Sequence, residues 1–206
     1  RVGSQTRRAA TLAGVADPAA ALAEAYARLD LPAGSDRRHP HELSGGMARR
    51  VLTATATVGR PRLVFADEPT PGLHEAAVSE TLRGLRALAD DGAAVVLITH
   101  DLERALPIAD RVAVFYAGTT VEVAPTSAFA GDGSALRHPY SRALWQALPR
   151  NGFVPLPGAQ PPPTDLPAGC LFADRCPLVV DACRAERPPA RRVAESLVRC
   201  IRADRF

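Results

Sequence analysis

Residues 62–70 read RLVFADEPT, an apolar run of strand length that ends in two adjacent carboxylates, Asp67 and Glu68. A helical pattern follows at residues 75–90, with its apolar side chains spaced for one face, and a second apolar run occupies residues 93–99. A strand, a helix and another strand in this order are typical of a βαβ unit, in which the two strands lie parallel. The sequence therefore predicts an α/β fold with a parallel sheet.

The acidic pair and a histidine fall at the predicted carboxyl ends of the two strands. Residues 98–101 read ITHD, and a right-handed crossover would put His100 on the same edge as Asp67 and Glu68. Ligands of open α/β sheets bind at this edge. One carboxylate can hold Mg²⁺ there while its neighbour activates a water, and an imidazole can contact a γ-phosphate. Each residue alone is also compatible with a solvated acid or a structural histidine, so the hypothesis of nucleotide hydrolysis depends on the combination.

A third element lies upstream, where residues 43–47 read LSGGM directly before a helical stretch at 45–58. Ser44 can cap that helix, and Gly45 and Gly46 carry no Cβ to keep an anion away from the backbone N–H groups at its positive end. Glycines also precede helices for steric reasons alone. The segment predicts a phosphate-binding helix start.

Charge and composition exclude several classes of function. The chain has a net charge of +3, and its 25 basic residues are all arginine. Because these arginines are spread evenly along the chain and form no basic stripe, the sequence argues against nucleic acid as a partner. The apolar runs are far shorter than the roughly 18 residues of a membrane span. Because the chain has no lysine, neither a P-loop lysine nor a Schiff-base lysine can come from these residues.

Together, LSGG at 43–46, LVFADEPT at 63–70 and ITHD at 98–101 resemble the nucleotide-binding subunits of ABC transporters, which are P-loop NTPases. The resemblance implies ATP and Mg²⁺ as cofactors. It makes Asp67 the Walker B aspartate associated with Mg²⁺, Glu68 the general base and His100 the switch histidine. The family's signature motif, which grips the γ-phosphate of ATP on the opposite subunit, corresponds to Leu43, Ser44, Gly45 and Gly46.

The sequence departs from the family pattern in three places. Residues 71–74 read PGLH where the family's D-loop has Ser-Ala-Leu-Asp, and residues 48–50 read ARR where a glutamine-arginine pair is usual. No P-loop is present, and residues 1–5 resemble the segment after the family's Q-loop. We therefore expect the chain to begin inside the helical subdomain, and residues 1–206 alone to be an inactive ATPase.

Residues 137–144, which read RHPYSRAL, together with the proline-rich segment and the cysteines beyond it, resemble the ATPase subunits of oligopeptide, dipeptide and nickel importers. The His-Pro-Tyr element also fits a plain helix start. The resemblance implies a peripheral subunit on the cytoplasmic face of the membrane that energises uptake of peptides or nickel. It also implies a second ATPase subunit, transmembrane permease subunits and an extracytoplasmic substrate-binding protein as partners.

Composition and resemblance together predict four regions. These are a remnant of the helical subdomain with the signature at 1–60, the C-terminal part of the ABC core at 61–148, a connector at 149–167 and a cysteine-containing extension at 168–206. Seven prolines between Pro149 and Pro167 favour an extended connector. A helix is predicted at 138–148 and a hairpin at 111–123, and the extension has too few apolar residues to build a large core alone.

Four cysteines lie in the extension, with spacings too wide for the usual zinc knuckle. Four thiolates suit an iron–sulfur cluster, and members of the importer family carry a similar array, in some cases with a [4Fe–4S] cluster. A cluster, a zinc ion and unliganded or disulfide-paired thiols all remain open. The residues concerned are Cys170, Cys176, Cys183 and Cys200.

Two other functions compete with a catalytic subunit. The chain could be a non-catalytic partner whose signature completes another subunit's site, since His74 replaces the D-loop aspartate. Alternatively, residues 168–206 could be an iron–sulfur sensing or structural module on a transporter ATPase.

Overall fold

The structure, a computed structural model, describes residues 1–205, which form two compact units divided between Asp101 and Leu102. The first unit contains three helices and a βαβ segment: α1 (Val2–Leu12), α2 (Pro18–Arg28), α3 (Gly45–Thr57), β1 (Leu63–Asp67), α4 (Glu75–Asp90) and β2 (Ala94–Ile98). The second contains α5 (Leu102–Ala105), β3 (Arg111–Tyr116), β4 (Thr119–Pro125), α6 (Pro139–Gln146), α7 (Asp181–Ala185), β5 (Arg191–Val193) and β6 (Ser196–Val198).

A buried polar contact joins the three helices of the first unit. The Thr6 hydroxyl of α1 lies 3.2 Å from the Tyr26 hydroxyl of α2 and 2.8 Å from Thr55 Oγ1 of α3. Apolar side chains from all three helices surround it, including Leu22, Val51 and others of the same cluster. The contact lets the threonine hydroxyl stay paired although its residue is fully buried.

The βαβ prediction is confirmed. β1 and β2 pair in parallel from Leu63 opposite Ala94 to Asp67 opposite Ile98. Helix α4 occupies the predicted residues and buries Val78, Leu82 and Leu85 on one face, as its apolar spacing requires. The fold therefore has the α/β character and the parallel pair expected from the sequence.

The second unit contains an antiparallel sheet that the sequence did not predict beyond its first hairpin. β3 and β4 are joined by Ala117 and Gly118, both with positive φ, as a two-residue hairpin turn requires. The strand order is β3-β4-β6-β5, so the hairpin continues into two short strands from the cysteine-containing tail. Within residues 1–205, parallel pairing is thus limited to β1 and β2.

The tail shares one apolar core with the hairpin. Phe172 is 1% exposed, and its ring lies 5.3 Å from that of Tyr116 and 5.4 Å from that of Tyr140. Arg175 donates hydrogen bonds to the carbonyls of Leu156 and Pro157, which hold the proline-rich segment. Residues from Leu102 onward therefore cluster together, as expected if the tail cannot build a core alone. The bounds of the four regions predicted from composition and resemblance stay predictions.

The predicted helix at 138–148 is shorter in the structure, where α6 ends at Gln146 and a 3-10 turn follows at Pro149–Asn151. Over residues 1–205, no helix combines the length and the apolar character needed to cross a membrane.

Phe172→Ala is expected to destabilise the second unit by about 3–5 kcal/mol, because it empties a buried aromatic site. Trp145 is the chain's only tryptophan and packs in the same cluster, so its fluorescence during urea unfolding reports on this unit. Phe153→Ala is the matched control, since that ring is 71% exposed. Equal losses for the two variants would contradict the described core.

Candidate functional site

The carboxyl edge of the parallel pair holds Glu68 in a fixed position. Its N–H donates to the carbonyl of Ile98 at 2.9 Å, which continues the β1–β2 ladder one residue past the end of β1. Glu68 has a φ of 42°, in the left-handed region that costs a non-glycine residue about 1–2 kcal/mol. Strained residues of this kind cluster at functional sites.

The structure brings Glu68 and His100 together, as the sequence predicted. One carboxylate oxygen, Oε1, accepts a hydrogen bond from the His100 backbone N–H at 3.1 Å and lies 2.8 Å from His100 Nδ1. The hydrogen bond and the negative charge of Glu68 raise the pKa of His100 above its usual 6.5. The imidazole side chain is 80% exposed, so it is open to a ligand at this edge.

The other oxygen of Glu68, Oε2, is buried and has no hydrogen-bond partner within the part of the chain that the structure describes. Asp67 is exposed at the end of β1, opposite Ile98, and its carboxylate makes no hydrogen bond or ion pair with the described residues. The edge therefore presents one carboxylate tied to an imidazole and a second that is free to bind a cation.

Ser44 caps α3, as predicted, by accepting a hydrogen bond from the Met47 N–H at 3.3 Å. A Cβ added to Gly45 or Gly46 would meet no atom within 4 Å, so the backbone at this helix start is open to an approaching group. Leu43 is half-buried against the helical cluster of the first unit. Within residues 1–205, no hydrogen bond or ion pair links this motif to the strand edge.

Two contacts near the signature could not be read from the sequence. The backbone N–H of His39 donates to the Glu42 carboxylate at 2.6 Å, and this bond lowers the pKa of Glu42. Arg50 of α3 lies 3.5 Å from the Glu80 carboxylate of α4, and so connects the signature helix to the βαβ segment. The first contact stabilises the turn that precedes the signature, and the second stabilises the position of helix α3, which the signature begins.

The four cysteines line a single cavity of about 10 Å³ in the second unit. All four are free thiols, and Cys183 is buried. Burial raises the pKa of Cys170 and Cys176, and raises that of Cys200 to about 11. In the described residues, no group of three or more cysteine, histidine or acidic side chains has the arrangement of a metal site.

The same cavity is lined by His138, which the sequence indicated as part of the His-Pro-Tyr element or of a plain helix start, and not as a neighbour of the cysteines. His138 caps α6, with Nδ1 accepting a hydrogen bond from the Tyr140 N–H at 3.0 Å. Burial lowers the pKa of His138 to about 4. Glu122, fully buried in β4, accepts hydrogen bonds from the backbone N–H groups of Arg137 and His138.

An acid–histidine pair at the end of parallel strands, with a serine-glycine helix start in the same unit, is the arrangement of an ABC-type ATP-binding unit. The family model described as "ABC transporter" matches residues 4–71, and the one described as "Oligopeptide/dipeptide transporter, C-terminal region" matches residues 121–183. Two separate segments of the chain are therefore similar to ABC transporter ATP-binding subunits, the second of them to the oligopeptide/dipeptide group.

Curated relatives agree with this placement. The dipeptide transport ATP-binding protein DppD of Escherichia coli (strain K12) is 39% identical over 192 residues, which cover 88% of this chain and 52% of DppD. The oligopeptide transport ATP-binding protein OppD of Mycobacterium tuberculosis is 40% identical over 181 residues, covering 84% of this chain and 29% of OppD. The chain thus spans about half the length of DppD.

A solved structure of the ATP-binding subunit of an ABC transporter is similar to 62% of this chain, with a TM-score of 0.50, and the match covers 54% of that chain. Because the two sequences are 23% identical, this likeness shows the fold alone.

Glu68→Gln is expected to lower the pKa of His100 towards 6.5, because the amide removes the negative charge that favours the imidazolium. The ¹H shifts of the imidazole ring, followed by NMR across pH 5–9, measure it. The stabilisation from this pair is fully present below pH 6.5 and is lost as the pH rises through the raised pKa of His100. Glu80→Gln is the control, and an unchanged His100 pKa in Glu68→Gln would contradict the contact.

Proposed function

We propose that the protein is an ATP-binding and ATP-hydrolysing subunit of an ABC importer that energises the uptake of oligopeptides or dipeptides. The observation that carries the proposal is the Glu68–His100 pair at the carboxyl edge of β1 and β2. The names of DppD and OppD support peptides as the cargo. No residue described above favours nickel, the other cargo that the sequence suggested.

The free oxygen of Glu68 is suited to take a proton from water. Oε1 is already bound twice to His100, so the carboxylate cannot rotate freely, while Oε2 has no partner among the described residues. A nucleotide bound at the strand edge would bring its phosphates and the attacking water to the Glu68 carboxylate. The exposed His100 ring would then contact the γ-phosphate, with its raised pKa favouring the cationic form.

Asp67 fits the role of the Mg²⁺-associated carboxylate. It lies exposed one residue before Glu68 and is not engaged by another described side chain. When bound, Mg²⁺ would supply neutralisation of phosphate charge.

The signature would act on a second subunit's nucleotide. Residues 45 and 46 leave open space at the start of α3, and their N–H groups can bind an anion there. The lysine that grips ATP phosphates in a P-loop is absent from these 206 residues, so that contact must come from elsewhere. The proposed assembly includes a second ATPase subunit, transmembrane permease subunits and an extracytoplasmic substrate-binding protein, at the cytoplasmic face of the membrane.

Glu68→Gln is expected to leave ATP binding intact and to lower turnover at least about 100-fold, as loss of a general base does. The test uses a chimera in which the amino-terminal half of DppD precedes residues 1–206, with phosphate release and calorimetry as measurements. Glu186→Gln is the matched control, because that exposed carboxylate lies in the second unit, away from the signature and the strand edge.

Turnover that stays near normal in Glu68→Gln would contradict the assignment of the base. A chimera that binds ATP but hydrolyses none, even with Glu68 present, would favour the non-catalytic partner. One observation supports that alternative. His74 stands in place of the D-loop aspartate, and its side chain makes no capping hydrogen bond at the start of α4.

We further propose that the four-cysteine cavity holds a [4Fe–4S] cluster. The support is that all four thiols line one cavity and are unpaired, which is the donor set such a cluster uses. Cys170, Cys176, Cys183 and Cys200 would hold it, and the cluster would supply one-electron chemistry or a rigid cross-link of the tail.

Protein purified without oxygen is expected to be brown, with absorbance near 400 nm and about four iron atoms per chain. Cys200→Ser is expected to lose most of the iron, because one of the four thiolates is gone. Colourless protein that contains zinc or no metal would contradict the cluster and leave zinc or free thiols as the answer.

A further inference from the structure

Two of the four cysteines, Cys170 and Cys183, are joined through their backbones. The Cys170 N–H donates a hydrogen bond to the Cys183 carbonyl at 2.7 Å. Residues paired through such a bond have Cα atoms about 5–6 Å apart, which is the separation found in disulfides. Both residues carry free thiols, and both line the cavity of the second unit. The separation of the two backbones therefore meets the requirement of a disulfide without a rearrangement.

A glycine permits this close approach. A Cβ added to Gly169 would lie 2.5 Å from the Cys183 carbonyl oxygen, closer than real Cβ contacts allow. Further backbone hydrogen bonds fix each partner. The Cys183 N–H donates to the Val180 carbonyl at 2.8 Å, and the Cys170 carbonyl accepts from the Ala173 N–H at 3.0 Å. The two cysteines are therefore held side by side by the chain around them.

The cavity between the thiols is small. Its volume of about 10 Å³ is close to the least that one water molecule needs. Among residues 1–205, no group of three or more cysteine, histidine or acidic side chains is arranged to hold a metal. A disulfide adds no atom to this space, because it forms by the loss of two hydrogens. A disulfide thus fits the cavity as it stands, whereas the proposed cluster would require the tail to open.

We propose that Cys170 and Cys183 are a redox pair that closes to a disulfide when the metal-free thiols meet hydrogen peroxide. This inference goes beyond the proposed function and does not depend on it. The disulfide uses two of the four thiols that the proposed cluster needs, so the two forms exclude each other. Oxidation would therefore give the tail a closed form that cannot bind a metal through all four sulfurs.

The reaction balances with hydrogen peroxide as the oxidant. Cys170, the less buried of the two, attacks one peroxide oxygen as a thiolate, and the O–O bond breaks to give a sulfenic acid and a water that takes the thiol proton. The Cys183 sulfur then attacks the sulfenic sulfur, and the hydroxyl group leaves as a second water with the Cys183 proton. The two thiols lose two electrons in all, and the peroxide gains them. Because burial raises the pKa of Cys170, we expect closure to be slower than the oxidation of an exposed thiol.

The experiment maps the thiols of the 206-residue chain after treatment with hydrogen peroxide. The chain is first freed of metal with a chelator and reduced, the reductant is removed, and the thiols that remain after oxidation are alkylated. Cleavage after arginines and before Asp181 separates Cys176 from Cys183, so that mass spectrometry identifies each partner. We expect the link between Cys170 and Cys183 to be the main product. A link of either cysteine to Cys176 or Cys200 in its place, or four free thiols, would overturn the inference.

Substitution of the cysteines tests the assigned order of attack. In Cys183→Ser, we expect Cys170 to remain a sulfenic acid that dimedone traps, because the second thiol is gone. In Cys200→Ser, the matched control, we expect the link to form as in the unsubstituted chain. The iron content before chelation tests the proposed cluster separately, so the failure of one proposal is distinguishable from the failure of the other.

Substitution of a glycine tests the backbone geometry. Gly169→Ala pushes the two backbones apart and is expected to lose most of the link. Gly84→Ala is the matched control, since a Cβ there would meet no atom within 4 Å. Trp145 fluorescence checks the folding of each variant. Equal yields of the link in the two variants would contradict the described approach, and if Gly169→Ala does not fold, the thiol map of the unsubstituted chain decides.

Discussion

The parallel pairing of β1 with β2 is the constraint on which the candidate ATPase site depends. Its last hydrogen bond, from Glu68 N–H to the Ile98 carbonyl, holds Glu68 at positive φ just beyond the strand. A shift of the register by one residue would turn every side chain of β1 to the other face, and Glu68 would lose His100. Helix α4 connects the two strands along the chain and buries Val78, Leu82 and Leu85 on one face.

In the second unit, the corresponding constraint is the pairing of strands that lie far apart in the sequence. Glu122 of β4 lies opposite Val198 of β6, so the tail extends the hairpin sheet. The same residue also binds the backbone at the start of α6 through its carboxylate. One strand thus aligns the sheet, the helix that carries His138 and the tail that carries the thiols, which explains how a tail with so few apolar residues keeps a defined place.

Features with a short repeat were predictable, whereas those that depend on distant pairing were not. The bounds of α4 follow from its 3.6-residue apolar spacing, and the acidic pair at the end of β1 follows from the length of one apolar run. The pairing of β4 with β6 joins residues far apart in the sequence, and three-residue strands carry no readable alternation. The buried role of His138 was hidden for the same reason, since its cavity is formed by segments that meet only in the folded chain.

Two histidines show how far the environment, and not the residue type, decides the chemistry here. His100 is exposed and shares its Nδ1 side with a carboxylate, so its pKa is raised and the ring favours positive charge. Burial lowers the pKa of His138 to about 4, which leaves the ring neutral, and its Nδ1 accepts a hydrogen bond from a backbone N–H. A cation suits an edge where phosphate charge would gather, whereas a positive charge on the buried His138 would carry a desolvation penalty. The surroundings of each ring, including the group that contacts Nδ1, therefore determine its protonation. The protonation in turn determines the kind of ligand that each histidine can bind.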